Sequence, residues 1–476
     1  MNKRRSLPRV WGITLFVLFL LIGIVLVVRW ADLPKATFLP TELTPLSLDG
    51  VQKILVLAPH CDDETLGAGG LIQAAAQKGI EIRVAIATNG DGYRFATTEE
   101  FRKVYPTALD YIRMGEVRQK ESLAALEKLG VQPQRVYFLS YPDRGTSPMM
   151  MKNWSSSDPY TSPYSKASKS PYPLTYNPSS VYAGEDYLAD LESILDQYRP
   201  DLVVFPSPED VHPDHWGLGA FTRLALSELS HHDPAYQPGQ ITYLVHRPDF
   251  PVVRGLNPAA SLVPPPTLSS IYLDWLGWPL TLDQEIVKGN ALRQYKSQWP
   301  LLKGLLVRFI RSNELFAPVT SSKLQEAVSG EVFDPGSWKN RLGAAIPPVQ
   351  MDPTGDVLSH KVAPGTDLKA VYAARTPNGD LWFCARLHGR VLREVSYSLR
   401  LKSLTESGIR SFEAHTRPKP GQATLTRAGD YFCTTTSLKE LGDPWAISVE
   451  ATVESPDSLL PFDQTAWQIV DISTGR

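Results

Sequence analysis

From residue 53 to about residue 320, short apolar runs alternate with stretches in which apolar residues recur every three or four positions. The apolar runs are typical of buried strands and are KILVLA, EIRVAIAT, RVYFLSY and DLVVFPS. The stretches between them are typical of helices and include TLGAGGLIQAAAQKG, residues 108–129 and EDYLADLESILDQY. This alternation predicts an α/β fold with a Rossmann-like, mostly parallel sheet and helices on both faces. In such folds the ligand site lies at the carboxyl ends of the strands.

The pattern changes after about residue 347, where alternation with a period of two and turn residues replace the helical spacing. The segments AVYAAR and LWFCARL flank TPNGD, which predicts a hairpin at residues 378–379, and VSYSLRL and AISVEATV continue the alternation. We therefore expect an α/β domain over 49–320, a linker over 321–347 and an all-β, sandwich-like accessory domain over 348–476. A glycan is a candidate ligand for the accessory domain.

Residues 145–184 interrupt the α/β pattern with a stretch rich in Ser, Pro and Tyr. The stretch is longer than ordinary connections in compact domains, so it is either disordered or a functional loop. Its aromatic side chains suit stacking on sugar rings or, equally well, packing of the loop onto its own domain. The aromatic residues in question are Trp154, Tyr160, Tyr164 and Tyr172.

The N-terminal region carries an uncharged, apolar run from residue 10 to residue 28, preceded by four basic residues. At a rise of about 1.5 Å per residue this run nearly spans a bilayer core of about 30 Å. We therefore predict a transmembrane helix over 10–29, a cytoplasmic N-terminus over 1–9 and a proline-containing linker over 30–48. The chain would then be a single-pass membrane protein with an extracytoplasmic α/β domain. The alternative is a cleaved secretory signal.

Charge indicates which classes of binding partner the chain can have, and cysteine content bears on the redox compartment. The chain has 48 basic and 50 acidic residues and a net charge of -2, which gives no basic footprint for nucleic acid. Three cysteines in an exported chain indicate one disulfide and one free thiol. We expect Cys384 to pair with Cys433, since both lie in strand-like segments of the C-terminal region, and Cys61 to remain free. Three buried, reduced thiols are the alternative.

Two segments that combine histidine with acidic residues directly follow predicted buried strands. They are APHCDDE at 58–64 and VHPDHWG at 211–217. Since both strands would end at the same edge of the sheet, we expect one cluster to contain His60, Asp62, Asp63, Glu64, His212, Asp214 and His215. Imidazole and carboxylate groups are typical ligands of Zn²⁺, whose charge would neutralise the acidic residues. Taken singly, the three acids could merely cap the following helix, and HPDH could be a turn.

These motifs resemble those of the PIG-L/LmbE-like de-N-acetylases, zinc hydrolases that remove acetyl groups from N-acetylglucosamine-containing substrates. APHCDDE is similar to the family's A-H-P-D-D-E style motif and HPDH to its second motif, and the resemblance covers roughly residues 50–320. Weaker similarities are ATNGDG, VRQKESLAALEKLGV, FLSYPDRG, YLVH, the pattern over 288–298, and NELF. The resemblance implies a metal-dependent amide hydrolase that acts on an N-acetylated amino sugar. Together with the predicted membrane helix, it points to an extracytoplasmic glycan or glycoconjugate as the substrate.

The resemblance implies a set of metal ligands and a general base. His60, Asp63 and His215 correspond to the zinc ligands, and Asp62 corresponds to the base. Amide hydrolysis needs an activated water, a stabilised oxyanion and a protonated leaving amine, because an amide is a poor electrophile. Bound zinc lowers the pKa of its water to about 7, and Asp62 would take the proton.

The resemblance implies four further roles. His212 would stabilise the oxyanion as an imidazolium and assist proton transfer, and Asp214 would fix its orientation. Asp143, in YPDRG, would bind substrate, and Arg94, after NGDGY, is a second candidate for the same role. Both positions lie in or next to segments whose similarity to the family is weaker than that of the two motifs.

Two positions depart from the family pattern. Cys61 stands where the family has proline, and a thiolate there is an alternative metal ligand. Asp210 stands two residues before His212, where some members have tyrosine; it would orient a neighbouring group or cap the loop.

Two other function classes remain open. The first is a metal-dependent hydrolase of another amide or ester, and a phosphoester would require a basic phosphate-binding group. The second is a catalytically silent cell-surface carbohydrate-binding protein, which would predict the loss of a ligand or of the base.

Overall fold

The α/β region is built on one mixed sheet of eight strands, in a computed structural model that describes residues 43–472 apart from 270, 272–273, 358 and 455–460. The strands are β1 (Thr44–Pro45), β2 (Lys53–Ala58), β3 (Glu81–Thr88), β4 (Val136–Tyr141), β5 (Leu202–Pro206), β6 (Gly239–Tyr243), β7 (Leu276–Pro279) and β8 (Asn313–Pro318). Their order across the sheet is β1-β7-β8-β6-β5-β2-β3-β4. Most neighbours run parallel, and β8 is antiparallel to both β6 and β7.

Helices cover both faces of this sheet. They are α1 (Asp63–Gln77), α2 (Arg94–Phe101), α3 (Ala108–Lys128), α4 (Thr146–Met151), α5 (Gly184–Tyr198), α6 (Pro213–His232), α7 (Leu282–Leu292) and α8 (Trp299–Leu306). Side chains of β2 alternate between two cores, since Ile54 and Val56 pack with α1, α3 and α7, whereas Leu55 and Leu57 pack with α5 and α6. Burial on both faces explains why the strand sequences are continuously apolar.

The strand order reverses next to β2, which places a crevice at one edge of the sheet. Strands β3 and β4 lie on one side of β2, and β5 and β6 lie on the other. The crevice outside the carboxyl ends of strands at such a reversal is the usual ligand site of open α/β sheets. The segment 59–63 follows β2 and the segment 207–212 follows β5, so both motifs reach this crevice.

The C-terminal part of the chain is β-rich. Its strands are β9 (Ser322–Lys323), β10 (Gln325–Glu326), β11 (Ser329–Glu331), β12 (Asp334–Lys339), β13 (Gln350–Met351), β14 (Leu368–Arg375), β15 (Asp380–Leu387), β16 (Ser396–Thr405), β17 (Gly408–His415), β18 (Ala423–Thr424), β19 (Thr426–Ala428), β20 (Tyr431–Ser437), β21 (Ala446–Glu454), β22 (Asp463–Gln464) and β23 (Gln468–Asp471). Val371 and Phe383 from a six-stranded sheet share a core with Leu401 and Val449 from a seven-stranded sheet. Strands β9 to β12 lie within the residues predicted as a linker, and the domain boundaries stay predictions.

A disulfide and a buried arginine hold the β-rich region together and join it to the α/β region. Cys384 on β15 faces Cys433 on β20, and the two form the predicted disulfide. Cys61 is the free thiol, as predicted. Arg223 on α6 donates to the carbonyl oxygens of Trp467 at 2.9 Å and Thr320 at 2.8 Å.

The predicted fold class also included a transmembrane helix over 10–29, a range that lies outside the described residues. None of the helices in the described part of the chain is both long and apolar enough to span a bilayer. Helix α3 has 21 residues, but charged side chains recur along it, as in a helix packed on a sheet. The fold class is therefore corrected to a mixed α/β protein with a C-terminal β-rich region and no assigned transmembrane helix.

Candidate metal centre and active site

The first motif turns sharply from strand β2 into helix α1. The backbone N–H of Asp63 donates to the carbonyl oxygen of His60, and Asp62, at the start of the helix, has a φ of 140°. A positive φ costs a residue with a side chain roughly 1–3 kcal/mol, and such strain concentrates at functional sites. The turn projects His60, Asp62 and Asp63 into the crevice, where all three are buried.

Four side chains form a group that can hold a metal ion. His60, Asp63, His215 and His246 each place a ligand atom within 4.8 Å of the ligand atoms of the others. The Oδ2 atom of Asp63 lies 3.0 Å from Nδ1 of His60 and 3.0 Å from Nε2 of His215. His215 is fully buried, yet neither of its ring nitrogens makes a well-formed hydrogen bond. This arrangement fits a cation bound among the three predicted ligands.

The fourth member, His246, was not predicted from the sequence as a site residue. It lies three residues beyond β6, at the same edge of the sheet, and its ring centroid is 4.6 Å from that of His215. Burial, followed by the neighbouring His215, lowers the pKa of His246 to about 4, so the ring is neutral and able to bind a metal. The sequence signal that could have identified His246 is YLVH, an apolar run that ends in histidine.

Asp210 holds the histidines of this group in place. Its Oδ2 accepts the backbone N–H groups of Val245 at 3.0 Å and His246 at 2.9 Å, and lies 3.2 Å from Nδ1 of His215. Burial opposes its ionisation, but His215, His246 and the backbone N–H of His212 hold the pKa of Asp210 below its usual range. A carboxylate behind a ligating imidazole fixes the orientation of the ring.

Asp214 and Asp143 approach the outer nitrogen of His60. The Nε2 atom of His60 lies 3.3 Å from Oδ2 of Asp214 and 3.6 Å from Oδ1 of Asp143. Asp214 also accepts the backbone N–H groups of Arg144 at 2.6 Å and Thr146 at 3.1 Å. Burial opposes protonation of His60, but Asp143, Asp214 and Asp63 raise the pKa of His60 well above its usual value.

His212 is the N-cap residue directly before helix α6. Its ring faces that of His60 edge-on, with ring centroids 4.8 Å apart. Its Nδ1 accepts a hydrogen bond from the backbone N–H of Asp214 at 3.2 Å. A nitrogen that accepts this bond carries no proton, so the proton of the neutral ring is on Nε2. Burial and then the nearby His60 lower the pKa of His212 to about 3.

Arg118 on α3 supports the turn that carries Asp62, and sequence reasoning did not single it out. The guanidinium donates to the carbonyl oxygens of Cys61 at 2.6 Å and Gly90 at 2.9 Å, and lies 3.4 Å from Oδ2 of Asp62. Burial raises the pKa of Asp62 to about 7, and Arg118 opposes that rise. Arg118 lies within VRQKE, a segment noted only as a weak similarity.

Three other residues considered in the sequence lie outside the metal-binding group. Burial raises the pKa of Cys61 to about 12, and its thiol is not part of the metal-binding group. Glu64 accepts a short hydrogen bond from the hydroxyl of Tyr295 and another from the backbone N–H of Asp62 at 3.2 Å. Arg94 is exposed, contacts the carbonyl oxygen of Val104 and is not brought into the cluster by any described contact.

The stretch 145–184 is ordered and packs beside the crevice. The indole of Trp154 stacks on Phe221, and the hydroxyl of Tyr172 donates to Asp91 at 2.6 Å. These two aromatics attach the loop to its own domain. Tyr160 and Tyr164 are half-buried near Asp143. Burial is the main cause that raises the pKa of both hydroxyls, and the charge of Asp143 raises it further.

Comparison with known proteins agrees with the two motifs. Residues 55–226 match the family model PIG-L, described as GlcNAc-PI de-N-acetylase. A 1D-myo-inositol 2-acetamido-2-deoxy-alpha-D-glucopyranoside deacetylase of Mycobacterium sp. strain KMS is 28% identical over 197 residues, which are 40% of this chain and 56% of that protein. The chain therefore spans little more than half of that relative. The enzyme of the same name from Kineococcus radiotolerans is 27% identical over 65% of this chain and 87% of its own length.

Among solved structures, the N,N'-diacetylchitobiose deacetylase from Pyrococcus horikoshii is 18% identical, covers 67% of this chain and 95% of its own chain, and has a TM-score of 0.36. The matched range 55–226 contains the motif after β2 and the motif after β5, together with the strands that position them. The chain thus carries a PIG-L family domain over residues 55–226.

Proposed function

We propose that the chain is a zinc-dependent de-N-acetylase that hydrolyses the acetamide of an N-acetylated amino sugar. The observation that carries this proposal is the buried group of His60, Asp63 and His215 at the strand-order reversal, with Asp62 beside it. The PIG-L match supports it, as do relatives whose names specify deacetylation of acetamido sugars. The proposal covers the α/β region.

The donor set supports zinc as the metal. Two imidazoles and one carboxylate are a common protein ligand set for catalytic zinc, which keeps one position open for water or substrate. Zinc bound by His60, Asp63 and His215 would supply a more acidic water and polarise the acyl oxygen. His246 lies in the same group and would act as a further ligand or restrict the geometry of the centre.

Asp62 acts as the proton carrier. Its buried carboxylate lies next to the ligand Asp63 and is held by Arg118, so its position beside the metal-binding group is restricted. It takes a proton from the attacking water and returns it to the amine as the C–N bond breaks. Acetate and a free amino sugar are released.

His212 acts as a neutral hydrogen-bond donor to the developing oxyanion. The Nδ1 atom of His212 accepts the backbone N–H of Asp214, so the ring's remaining donor is Nε2–H. The same hydrogen bond opposes a second proton on the ring. This differs from the imidazolium role implied by the family resemblance. Asp214 orients His60 through Nε2, because its described hydrogen bonds go to that ring and to backbone groups.

Asp143 binds a hydroxyl group of the sugar. Its Oδ2 accepts the N–H of Gly92 at 2.9 Å, and its Oδ1 faces the crevice near His60. Tyr164 packs against Gly92, so its ring lies beside this position. Arg94 is left out of the proposed substrate site because its guanidinium lies over the ring of Tyr105.

We also propose that the protein acts on an extracytoplasmic glycan or glycoconjugate. The disulfide between Cys384 and Cys433 supports this location, because disulfides persist in oxidising compartments and are rare in the cytosol. Labelling of intact cells with a thiol reagent before and after reduction tests the location. Protection of Cys384 and Cys433 until reduction supports it, and free thiols at these two positions in the native protein contradict it.

Acetate release from purified protein tests the activity. The substrates are N-acetylglucosamine oligomers and N-acetylglucosaminyl conjugates, assayed with zinc, after chelation and after zinc is restored. We expect acetate in equal amount to new free amine, loss of both on chelation and recovery with zinc. Phosphate release from model phosphoesters without acetate would favour the alternative hydrolase, and glycan binding without any product would favour a silent binding protein.

A further inference from the structure

A second group of carboxylates lies in the C-terminal β-rich region. Asp352, Asp356, Asp367 and Asp463 each place an oxygen within 4.8 Å of the oxygens of the other three. Asp352 is 3% exposed, Asp367 is 0% exposed and Asp463 is 7% exposed, whereas Asp356 reaches the surface. The four residues come from the loop after β13, the residue before β14 and the first residue of β22. The fold therefore assembles this cluster from segments separated by about a hundred residues.

Two buried oxygens of this cluster have no hydrogen-bond partner in the described structure. They are Oδ2 of Asp352 and Oδ1 of Asp367. A buried carboxylate oxygen without a donor is strongly disfavoured, because it has lost its water and gained nothing in exchange. Asp352 also places a carboxylate oxygen within 4.8 Å of oxygens of the three other carboxylates, an arrangement that a bound cation would stabilise.

Three other oxygens of the cluster accept hydrogen bonds from backbone donors. Asp463 accepts the N–H groups of Leu368 at 2.6 Å and of Gln464 at 2.8 Å, and Asp367 accepts the N–H of Gly355 at 3.0 Å. These bonds hold two of the four carboxylates in position before any ion binds.

The positive charge around the cluster is too small to balance four carboxylates. The described cationic partners are Arg247, whose Nη2 lies 3.9 Å from Asp356, and the imidazole of His360, which contacts Asp367. Burial and the neighbouring carboxylates hold the pKa of Asp352 well above its usual range. When ionised, the four carboxylates therefore carry more negative charge than these partners balance, and either protons or a bound cation must offset it.

We propose that Asp352, Asp356, Asp367 and Asp463 bind a calcium ion. All the converging ligand atoms are carboxylate oxygens, the ligands that Ca²⁺ prefers, and Ca²⁺ accepts irregular coordination by six to eight oxygens. Mg²⁺ demands a near-ideal octahedron and retains its waters, and Zn²⁺ favours imidazole and thiolate ligands. This ion is separate from the proposed zinc.

The calcium ion would stabilise the junction between the β-rich region and the loops of the active site. Arg247, beside Asp356, donates to the carbonyl oxygen of Glu209 at 2.6 Å. Glu209 precedes Asp210, and Arg247 follows His246, so the junction lies directly behind the residues that orient the zinc ligands.

Calcium titration of the full, zinc-loaded chain tests the proposal. The protein is stripped of metal, reloaded with one equivalent of zinc and titrated with CaCl₂ by calorimetry, with MgCl₂ in parallel. We expect about one Ca²⁺ per chain with a Kd of about 1 mM or tighter, weaker Mg²⁺ binding, and a rise in Tm with calcium. Asp352→Asn should weaken calcium binding at least about tenfold and abolish the rise in Tm.

Asp430→Asn is the matched control, since Asp430 pairs with Arg386 in the same region and is outside the cluster. It should bind calcium as the unaltered chain does. Three results would overturn the proposal: no calcium uptake at about 10 mM, Mg²⁺ binding as tight as Ca²⁺ binding, or equal calcium affinity in Asp352→Asn. Because binding and Tm are read without substrate, a failure here is distinct from a failure of the deacetylase proposal.

Discussion

The Nε2 atom of His215 lies 3.0 Å from Oδ2 of Asp63, although the two residues belong to motifs that are distant in the chain. They meet because β2 and β5 pair in parallel and end at the same edge of the sheet. Both side chains are buried, and neither ring nitrogen of His215 makes a well-formed hydrogen bond. A shared cation gives both groups a partner, and this pair is the centre of the proposed zinc site.

Replacement of His246 should weaken this centre without destroying it. We expect His246→Ala to lower zinc affinity by roughly 10- to 100-fold and His215→Ala to lower it further, because His215 contacts the shared carboxylate directly. Competition with a chromophoric chelator measures both affinities. His232→Ala, at an exposed position, is the control and should bind zinc normally. Unchanged affinity in His246→Ala would remove His246 from the centre.

Arg118 should be required for the position of Asp62. Arg118→Met leaves the buried carbonyl oxygens of Cys61 and Gly90 without a donor, which should cost about 2–3 kcal/mol of unfolding free energy. The kcat should fall while zinc content stays at one per chain, and Arg118→Lys should recover part of it. A kcat equal to that of the unaltered enzyme would show that the guanidinium does not position the base.

The buried Lys402 should make stability depend on pH. Its Nζ lies 3.6 Å from the ring centroid of Trp154 and 2.8 Å from Oγ of Ser411, and burial, opposed by Glu413 and Glu185, lowers its pKa from 10.5 to about 7. Between these values the unfolded chain binds more protons at this site than the folded chain. Its contribution to the unfolding free energy therefore rises with pH, by up to about 1.4 kcal/mol per pH unit.

Urea unfolding at several pH values between about 7 and about 10 measures this slope. Lys402→Met should have a flatter dependence on pH than the unaltered chain, since the group that titrates is gone. Parallel curves for the two proteins would show that Lys402 keeps an ordinary pKa in the folded state.

Loss of the disulfide should destabilise the β-rich region. The two cysteines are 49 positions apart in the sequence, so the double variant Cys384→Ala, Cys433→Ala should lose about 4 kcal/mol of unfolding free energy in a chain-entropy model. Dithiothreitol should lower the Tm of the unaltered chain and leave that of the double variant unchanged. If dithiothreitol lowered the Tm of both proteins equally, the loss of stability would not come from this disulfide.

The sequence predicted the strands that consist of one clear apolar run and the site residues that directly follow such a strand. The apolar runs predict β2 to β5, and the polar residues directly behind β2 and β5 predict three members of the metal-binding group. Strands β7 and β8 were not predicted from the pattern, because LGWP has only four residues and NELFAP begins with two polar residues, so neither is an uninterrupted apolar run of ordinary strand length.

The residues whose position or role the sequence did not predict depend on tertiary contacts. Arg118 reaches the active site from the middle of a helix, and its partners are backbone carbonyls, which leave no trace in a motif. The cluster around Asp352 and Asp463 is assembled from distant loops, so no local spacing could indicate it. Arg94 follows a motif directly, yet the start of helix α2 directs it to Val104 and Tyr105.

The most direct test of the central claim is acetate release by Asp62→Asn, with zinc content measured on the same sample. We predict one zinc per chain and a fall in turnover of at least about 100-fold, because the ligands His60, Asp63 and His215 are intact and the proton carrier is lost. Turnover within about tenfold of the unaltered enzyme, with zinc retained, would contradict the assignment of Asp62 and the mechanism built on it.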